Sequence, residues 1–161
     1  MTTAYLGLGT NIGNKKENLT RAIGLLSLAL GPCTAHSSFI ETAPWGFDSD
    51  NAFLNCAVAF ETELTPLELL DTTERIEREL GRTIKSAGGI YHDRTIDIDI
   101  LLYGNVVIDT PRLTIPHPLM HLRDFVLEPL AEIAPEAIHP ALGKSIHQLA
   151  AELGDTGMKK G

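Results

Sequence analysis

Residues 94–100, with the sequence Arg-Thr-Ile-Asp-Ile-Asp-Ile, constrain the fold more than any other segment of the chain. Apolar and polar residues alternate here, which is typical of a strand with one buried face. Asp97 and Asp99 would share the other face with Cα atoms about 7 Å apart, where like charges repel. Aspartate is also a poor strand former, so the pair either forms a solvated acidic face or serves a function. Its hard oxygen atoms suit Mg²⁺, and two Mg²⁺ ions could be bridged by the pair.

The segments around this strand predict strands and helices in a defined order. Each is an apolar period bounded by turn residues or by a capping pair. The predicted elements are a strand over 3–9, a helix over 14–30, strands over 34–41 and 52–62, a helix over 65–81 and the Asp-x-Asp strand over 96–103. This β-α-β-β-α-β order predicts an α+β, ferredoxin-like core, which is an antiparallel sheet with helices packed on one face.

The residues after Tyr103 predict C-terminal extras to this core. We expect a short strand over 106–108, short helical pieces between proline-rich loops, and a last helix that carries Ile146, Leu149 and Leu153. A length of 161 residues suits one domain, which we place at 1–153. We expect the tail, residues 154–161, to be disordered.

Composition favours a reduced, cytoplasmic setting. The first residues contain no basic segment followed by an apolar run, and no apolar run approaches the length of a membrane span. Cys33 and Cys56 lie far apart in the sequence and match no metal or redox motif, and Cys56 falls in an apolar stretch that suits a core position. No oligomerisation signal is evident in the sequence.

The distribution of charge indicates a small phosphorylated ligand. The net charge of −8 argues against nucleic-acid binding. Residues 82–123 nevertheless carry five Lys and Arg residues, three of which, Arg94, Arg112 and Arg123, lie within thirty residues of the aspartate pair, as does His117. Arginines offer forked donors to phosphate oxygens, although in another setting the same residues would form surface salt bridges of little energetic value.

A second group of residues could hold a flat heterocycle. Trp45, Phe53, Asn55 and Phe125 offer aromatic walls and an amide that both donates and accepts hydrogen bonds. Such an amide suits the edge of a pterin or a purine. Plain core packing is the alternative for Phe53 and Phe125.

Taken in order, these motifs resemble the 6-hydroxymethyl-7,8-dihydropterin pyrophosphokinase family of folate biosynthesis. The matching segments are Tyr5-Leu-Gly-Leu-Gly-Thr-Asn, Glu41-Thr-Ala-Pro, Phe53-Leu-Asn, Gly81-Arg, Asp93-Arg-Thr-Ile-Asp-Ile-Asp and Arg112-Leu-Thr-Ile-Pro-His-Pro. The resemblance covers residues 3–150, and a monomer is the state that it implies. It implies an ATP-dependent diphosphokinase that moves the β,γ-diphosphate of ATP to the hydroxymethyl oxygen of the pterin and releases AMP.

The resemblance also implies roles for individual residues. Asp97 and Asp99 would hold two Mg²⁺ ions and, with Arg82 and Arg94, form the catalytic set. The ATP-binding residues it implies are Glu74, Glu77, Arg82, Arg94, Ile100, Arg112, Thr114, His117 and Arg123. Those of the pterin pocket are Thr42, Ala43, Pro44, Trp45, Phe53, Asn55, Tyr91 and Phe125.

The loop before Arg94 departs from the pattern of the family. It is longer by about two residues, contains Gly88 and Gly89, and has Tyr91 where a tryptophan often stacks on the pterin. Two adjacent glycines suit a lid that closes over both substrates. We expect Tyr91 to cover the pterin with a smaller stacking area.

Two other functions are compatible with parts of the pattern. Another Mg²⁺-dependent kinase or nucleotidyltransferase could use the phosphate-binding residues, and the aromatic residues with Asn55 argue against it. A non-catalytic, ferredoxin-like module that binds a small ligand would not need the aspartate pair.

Overall fold

The computed structural model describes residues 1–42, 52–88 and 96–155, with the side chains of 82–88 and 155 left aside. The strands are β1 (Thr2–Thr10), β2 (Cys33–His36), β3 (Ile40–Thr42), β4 (Phe53–Thr62), β5 (Asp97–Tyr103), β6 (Ile108–Asp109), β7 (Thr114–Ile115), β8 (Ile138–His139) and β9 (Lys144–Ser145). The helices are α1 (Lys15–Leu30), α2 (Pro66–Gly88), α3 (Asp124–Ile133) and α4 (Ile146–Asp155), with a 3-10 helix at Met120–Leu122. No helix within these described ranges is long and apolar enough to cross a membrane.

The main sheet has the strand order of a ferredoxin-like fold. Its path is β2-β4-β1-β5, β3 also pairs with β4, and every pairing is antiparallel. The predicted α+β class and core order are therefore confirmed. In the described part of the chain, β5 lies at one edge of this sheet.

One side of the sheet, here called the core face, is mainly apolar. It carries Ile98 and Ile100, which are 6% and 5% exposed, and the alternation in β5 is confirmed. These side chains pack with buried residues of α1 and α2, such as Leu26 and Ile76. Cys56 is buried in the same cluster, as predicted.

The opposite side, here called the site face, is covered over only part of its length. Ala57 and Leu101 lie in a second buried cluster with residues of α3 and α4, including Leu127 and Leu149. Thus the C-terminal extras form a further helical layer on the side of the sheet that the β-α-β-β-α-β core leaves open.

The predicted helix starts are confirmed by their capping contacts. Asn14 Oδ1 accepts the backbone N–H of Glu17 at 3.1 Å and begins α1. Before α2, Thr65 and Glu68 form a reciprocal capping box, with distances of 3.2 and 2.8 Å.

Two predicted boundaries are wrong in the first half of the chain. The strand over 34–41 is two strands, because the Ser37 Oγ atom accepts the backbone N–H of Ala57 at 2.9 Å and replaces a regular strand contact. Helix α2 does not end at Gly81 but continues to Gly88. Gly81 keeps helical backbone, and a Cβ added there would meet no atom within 4 Å. Gly31, with a φ of 115°, does end α1.

Two boundaries are also wrong in the second half. The strand predicted over 106–108 is Ile108–Asp109, because Val106 belongs to a turn in which its N–H donates to the Tyr103 carbonyl. The last helix extends through Gly154 to Asp155, so the tail predicted from 154 begins inside a helix. Residues 156–161 lie outside the described part.

Candidate active site

Residues from three neighbouring strands form a row across the site face. Gly9 of β1 pairs with Asn55 of β4 on one side and with Asp97 of β5 on the other. Adjacent strands lie about 4.8 Å apart, so the backbones of Asn55 and Asp97 are separated by about 10 Å. The predicted pterin-binding amide of Asn55 and the predicted metal-binding carboxylate of Asp97 therefore lie on the same sheet face, with strand β1 between them.

Gly9 is required by the close approach of Asn55. A Cβ added at Gly9 would lie 2.8 Å from Asn55 Oδ1, and Phe53 Cδ1 is 3.9 Å away. The Asn55 side chain is buried, and its amide donates to Thr42 Oγ1 at 3.1 Å. The structure thus brings together three of the predicted pterin-binding residues. A glycine within a strand is the sequence signal of such a close approach, which the sequence analysis missed.

Strand β5 presents the two aspartates and is fixed by a helix on its outer edge. Asp97 and Asp99 are partly exposed on the site face. Between them, the backbone N–H of Ile98 donates to Glu77 Oε2 of α2 at 2.7 Å. An edge strand leaves such donors without a strand partner, and a carboxylate is a strong acceptor. Glu77 therefore holds the backbone at the centre of the Asp-x-Asp motif.

His117 lies beside the aspartate pair. Its Nε2 atom is 3.9 Å from Asp99 Oδ2, and its Nδ1 atom accepts the backbone N–H of Leu119 at 3.3 Å. Burial lowers the pKa of His117, as does the positive charge of Arg123, while Asp97 acts in the opposite direction. The hydrogen bond from Leu119 assigns the remaining ring proton to Nε2, which faces Asp99.

A cleft of about 240 Å³ runs along the outer edge of β5. It is bounded by α2, β5 and the segment 111–118. Its apolar lining includes Leu70, Ile98, Ile100 and Leu113, and its polar lining includes Asp99, Arg112, Thr114 and His117. The cleft thus contains four of the predicted ATP-binding residues together with one of the predicted metal ligands. Leu70 was missed, although it lies one helical turn before Glu74.

Arg112 is held by two carboxylates of α2. Its Nη2 atom donates to Asp71 Oδ1 and, at 3.4 Å, to Glu74 Oε1. Hydrogen bonding to Asp71 raises the pKa of Arg112. All three side chains are about half exposed. Two predicted ATP-binding residues, Glu74 and Arg112, are therefore in contact. Asp71, which was not predicted, contacts Arg112 as well.

Arg123 and Phe125 lie together at the start of α3. The Arg123 guanidinium carbon is 5.6 Å from the centre of the Phe125 ring, which is within the range of a cation–π contact. Phe125 is 37% exposed, so plain core packing does not describe it. Its exposed ring remains available to a flat ligand.

The remaining predicted residues cannot be placed. Ala43, Pro44, Trp45, Tyr91 and Arg94 lie outside the described residues. Arg82 lies in α2, with its side chain outside the description.

Asp97 and Asp99 suit a cation that is bound partly by the protein and partly by a substrate. Within the described residues, no group of three or more His, Cys, Asp or Glu side chains is placed to hold a metal ion alone. Mg²⁺ commonly binds through one or two carboxylates together with substrate phosphates and waters. Asp97 and Asp99, partly exposed beside the cleft, fit that mode of binding.

Comparisons with known proteins agree on one family. A family model described as 7,8-dihydro-6-hydroxymethylpterin-pyrophosphokinase (HPPK) matches residues 5–135. A protein of Porphyromonas gingivalis named 2-amino-4-hydroxy-6-hydroxymethyldihydropteridine pyrophosphokinase is 49% identical over 141 residues, covering 87% of this chain and 95% of the relative. A relative of the same name from Methylorubrum extorquens is 42% identical over 161 residues, covering 99% of both.

A solved structure shows the same fold. The crystal structure of Plasmodium falciparum HPPK-DHPS wild type matches with a TM-score of 0.81 at 18% sequence identity. The match covers 99% of this chain but 46% of that longer chain. The solved structure, at this low identity, shows the fold alone. The family model and the two relatives show that the chain belongs to the 7,8-dihydro-6-hydroxymethylpterin-pyrophosphokinase family.

Proposed function

We infer that the protein is an ATP-dependent pyrophosphokinase of folate biosynthesis. It transfers the β,γ-diphosphate of ATP to 6-hydroxymethyl-7,8-dihydropterin and releases AMP. Family membership supports this reaction. The observation that carries the assignment of the site is the row formed by Asn55, Gly9 and Asp97 on one sheet face, with a cleft along the outer edge of β5 beside it.

The reaction makes one bond and breaks one. The hydroxymethyl oxygen of the pterin attacks the β-phosphorus of ATP, the bond from that phosphorus to the α–β bridging oxygen breaks, and AMP leaves with that oxygen. The hydroxyl proton is lost to solvent or to a phosphate oxygen. Such a transfer depends on positioning and on neutralising charge, which arginines and carboxylate-bound cations supply.

ATP as co-substrate requires Mg²⁺, and we propose that two ions bind at Asp97 and Asp99. When bound, Mg²⁺ would neutralise phosphate charge and lower the pKa of the attacking hydroxyl. Glu77, predicted from the sequence to bind ATP, is proposed to act indirectly, because its carboxylate fixes the backbone between these aspartates. Arg82 and Arg94 complete the proposed catalytic set.

The cleft along β5 is proposed to bind the nucleotide. Ile100 and Leu70 of its lining offer apolar surface for the base, and Thr114 offers a polar group to the base or ribose. Glu74, which accepts a hydrogen bond from Arg112 of the same lining, would offer another. The phosphates would meet positive or donor groups, namely Arg82, Arg94, Arg112, His117 and Arg123.

The pterin is proposed to lie beyond Gly9, against the buried Asn55 amide. Phe53 and Phe125 would provide aromatic contacts, and Thr42 orients the amide. The sequence adds Ala43, Pro44, Trp45 and Tyr91 to this pocket.

We further propose that residues 1–153 form one monomeric domain that works in the cytoplasm. Cys33 and Cys56 are both free thiols, and burial raises the pKa of Cys56 to about 12, which makes that thiol unreactive.

A nucleotide product assay tests the function. The protein is incubated with ATP, Mg²⁺ and the hydroxymethyl pterin, and the nucleotides are separated. We expect AMP that depends on the pterin, together with a diphosphorylated pterin. ADP instead would mean transfer of a single phosphoryl group, and no pterin-dependent product from folded, Mg²⁺-loaded protein would contradict the assignment.

A further inference from the structure

We propose that Asp71 limits the affinity of the enzyme for ATP by competing with the nucleotide for Arg112. This inference rests on the proposed function, in which Arg112 binds the nucleotide in the cleft along β5. Asp71 would act through Arg112 rather than by touching the substrate.

The contact geometry shows what the nucleotide must displace. A single guanidinium nitrogen of Arg112, Nη2, donates to both Asp71 and Glu74. Arg112 lines the cleft, and Asp71 directly follows Leu70, which lines the opposite wall. The ion pair therefore links Arg112 of the cleft lining to α2, the helix that bounds the cleft.

The charges give the direction of the effect. Two carboxylates surround one guanidinium, so this corner of the cleft carries a net negative charge, which a polyanionic ligand meets unfavourably. A phosphate or ribose oxygen must also replace a carboxylate oxygen on Nη2. Removing the charge of Asp71 relieves both effects and should strengthen nucleotide binding.

Exposure sets the size of the effect. The side chains of Arg112 and Asp71 are 52% and 62% exposed, and ion pairs this exposed are weak. The pair can therefore open at little cost, and Asp71 should weaken ATP binding by about two- to five-fold rather than block it.

The chain contains a matched control on the same helix. Arg75 and Glu79 form an exposed ion pair in α2 at 3.2 Å, with exposures of 52% and 40%, and neither residue lines the cleft. Asp71→Asn and Glu79→Gln each neutralise one α2 carboxylate that belongs to an exposed ion pair, with Arg112 and with Arg75 respectively. A general effect of the charge of the helix would appear in both variants.

The experiment measures the dissociation constant of Mg²⁺-ATP by calorimetry without pterin, and the KM for each substrate. The variants are Asp71→Asn, Glu79→Gln, Arg112→Gln and the double variant Asp71→Asn/Arg112→Gln. We expect Asp71→Asn to bind ATP about two- to five-fold more tightly with an unchanged KM for the pterin. Glu79→Gln should match the wild type. Arg112→Gln should bind ATP more weakly, and Asp71→Asn should strengthen binding less in its presence than alone, because the competition for Nη2 is lost with Arg112.

The outcomes separate this inference from the proposed function. If Arg112→Gln weakens ATP binding but Asp71→Asn leaves it unchanged or weakens it, the competition is wrong and Asp71 either has no effect on Arg112 or orients it. If Asp71→Asn strengthens binding equally with and without Arg112, its effect does not pass through that residue. If Arg112→Gln itself leaves ATP binding unchanged, the proposed nucleotide role of Arg112 is wrong.

Discussion

The two faces of the main sheet follow different rules. On the core face, apolar side chains of β1, β4 and β5, such as Leu6, Val58 and Ile98, enter one cluster with residues of α1 and α2. On the site face, helices α3 and α4 cover Ala57 of β4 and Leu101 of β5. Farther along these strands and β1, the site face presents Asn55, Gly9 and Asp97. Along the same three strands, one half of the site face is packed for stability and the other half carries polar groups.

The difference shows where function can be placed without loss of the core. Because side chains alternate along a strand, Asp97 and Ile98 are neighbours in sequence but belong to opposite faces. A change on the site face should therefore alter chemistry with little effect on folding, and a change on the core face should do the reverse.

The largest expected effect is on turnover, from a change on the site face. Asp97→Asn removes one charged oxygen ligand and should lower kcat about 10³-fold, or about 4 kcal/mol, as loss of a preorganised electrostatic group does. The free energy of unfolding should not fall, because the change relieves repulsion between like charges. Steady-state kinetics and urea unfolding measure the two effects, and Asp109→Asn, on exposed β6, is the control. Retained turnover in Asp97→Asn would contradict the proposed metal-binding role of Asp97.

A core-face change should have the opposite signature. Leu26→Ala on α1 empties a fully buried position and should lower the free energy of unfolding by about 3 kcal/mol. Leu28→Ala, at an 86% exposed position on the same helix, should change it by less than about 0.5 kcal/mol. Urea titration gives both values. The kcat of folded Leu26→Ala should match the wild type, and a large loss would mean that the two faces are coupled.

Glu77 links the two faces, and its variants sharpen the comparison. Glu77→Ala removes the acceptor for the Ile98 N–H and should lower kcat about ten-fold, because the aspartates lose a fixed backbone. Glu77→Gln keeps an oxygen acceptor of the same reach and should restore most of the activity. Kinetics at several Mg²⁺ concentrations test this. Equal losses in both variants would show that the charge of Glu77, rather than its hydrogen bond, matters.

The smallest expected effect is a pH dependence far from the site. His139 is buried, and its Nδ1 atom accepts the N–H of Leu142 at 3.1 Å, so its ring is neutral in the folded protein. Burial lowers the pKa of His139, and so does His121, whose ring centre is 6.2 Å away. Lys144 of β9 is the strand partner of His139, and its Nζ atom donates to Glu152 Oε1 at 3.0 Å.

The sign of this pH dependence follows from proton binding. The unfolded chain binds a proton at His139 near pH 6.5, whereas the folded protein binds it only at lower pH. Stability should therefore fall as the pH falls from about 6.5 toward the lowered pKa. His139→Asn keeps an acceptor for Leu142 and should make this slope shallower. Urea titrations between pH 5 and 7.5 measure it, and an identical slope in the variant would contradict the role of His139.

Local patterns predicted the core face well and the site face only in part. Alternation in β5 identified the buried isoleucines, and the capping pairs located both helix starts. Helix α2 passes through Gly81 because a single glycine costs a helix interior only about 1 kcal/mol, which does not by itself end the helix. The strand after α1 is divided because the Ser37 side chain contacts a residue twenty positions away, which no local pattern contains.

The contacts that assemble the site are also distant in sequence. Asn55 and Asp97 are brought together by Gly9, and Arg112 meets Asp71 forty-one positions earlier. Residue types and the family resemblance supplied the candidate residues of the site. They did not predict that Glu77 would bind the backbone of β5, since any carboxylate near a nucleotide site suggests a ligand.

The most direct test of the account is a crystal structure with Mg²⁺, the hydroxymethyl pterin and an ATP analogue whose α–β bridging oxygen is replaced by methylene. The analogue cannot release AMP, so both substrates should remain in place. We expect the pterin edge on Asn55, Mg²⁺ on Asp97 and Asp99, and the hydroxymethyl oxygen facing the β-phosphorus above Gly9. A pterin bound away from Asn55, or a triphosphate away from the aspartates, would contradict the account.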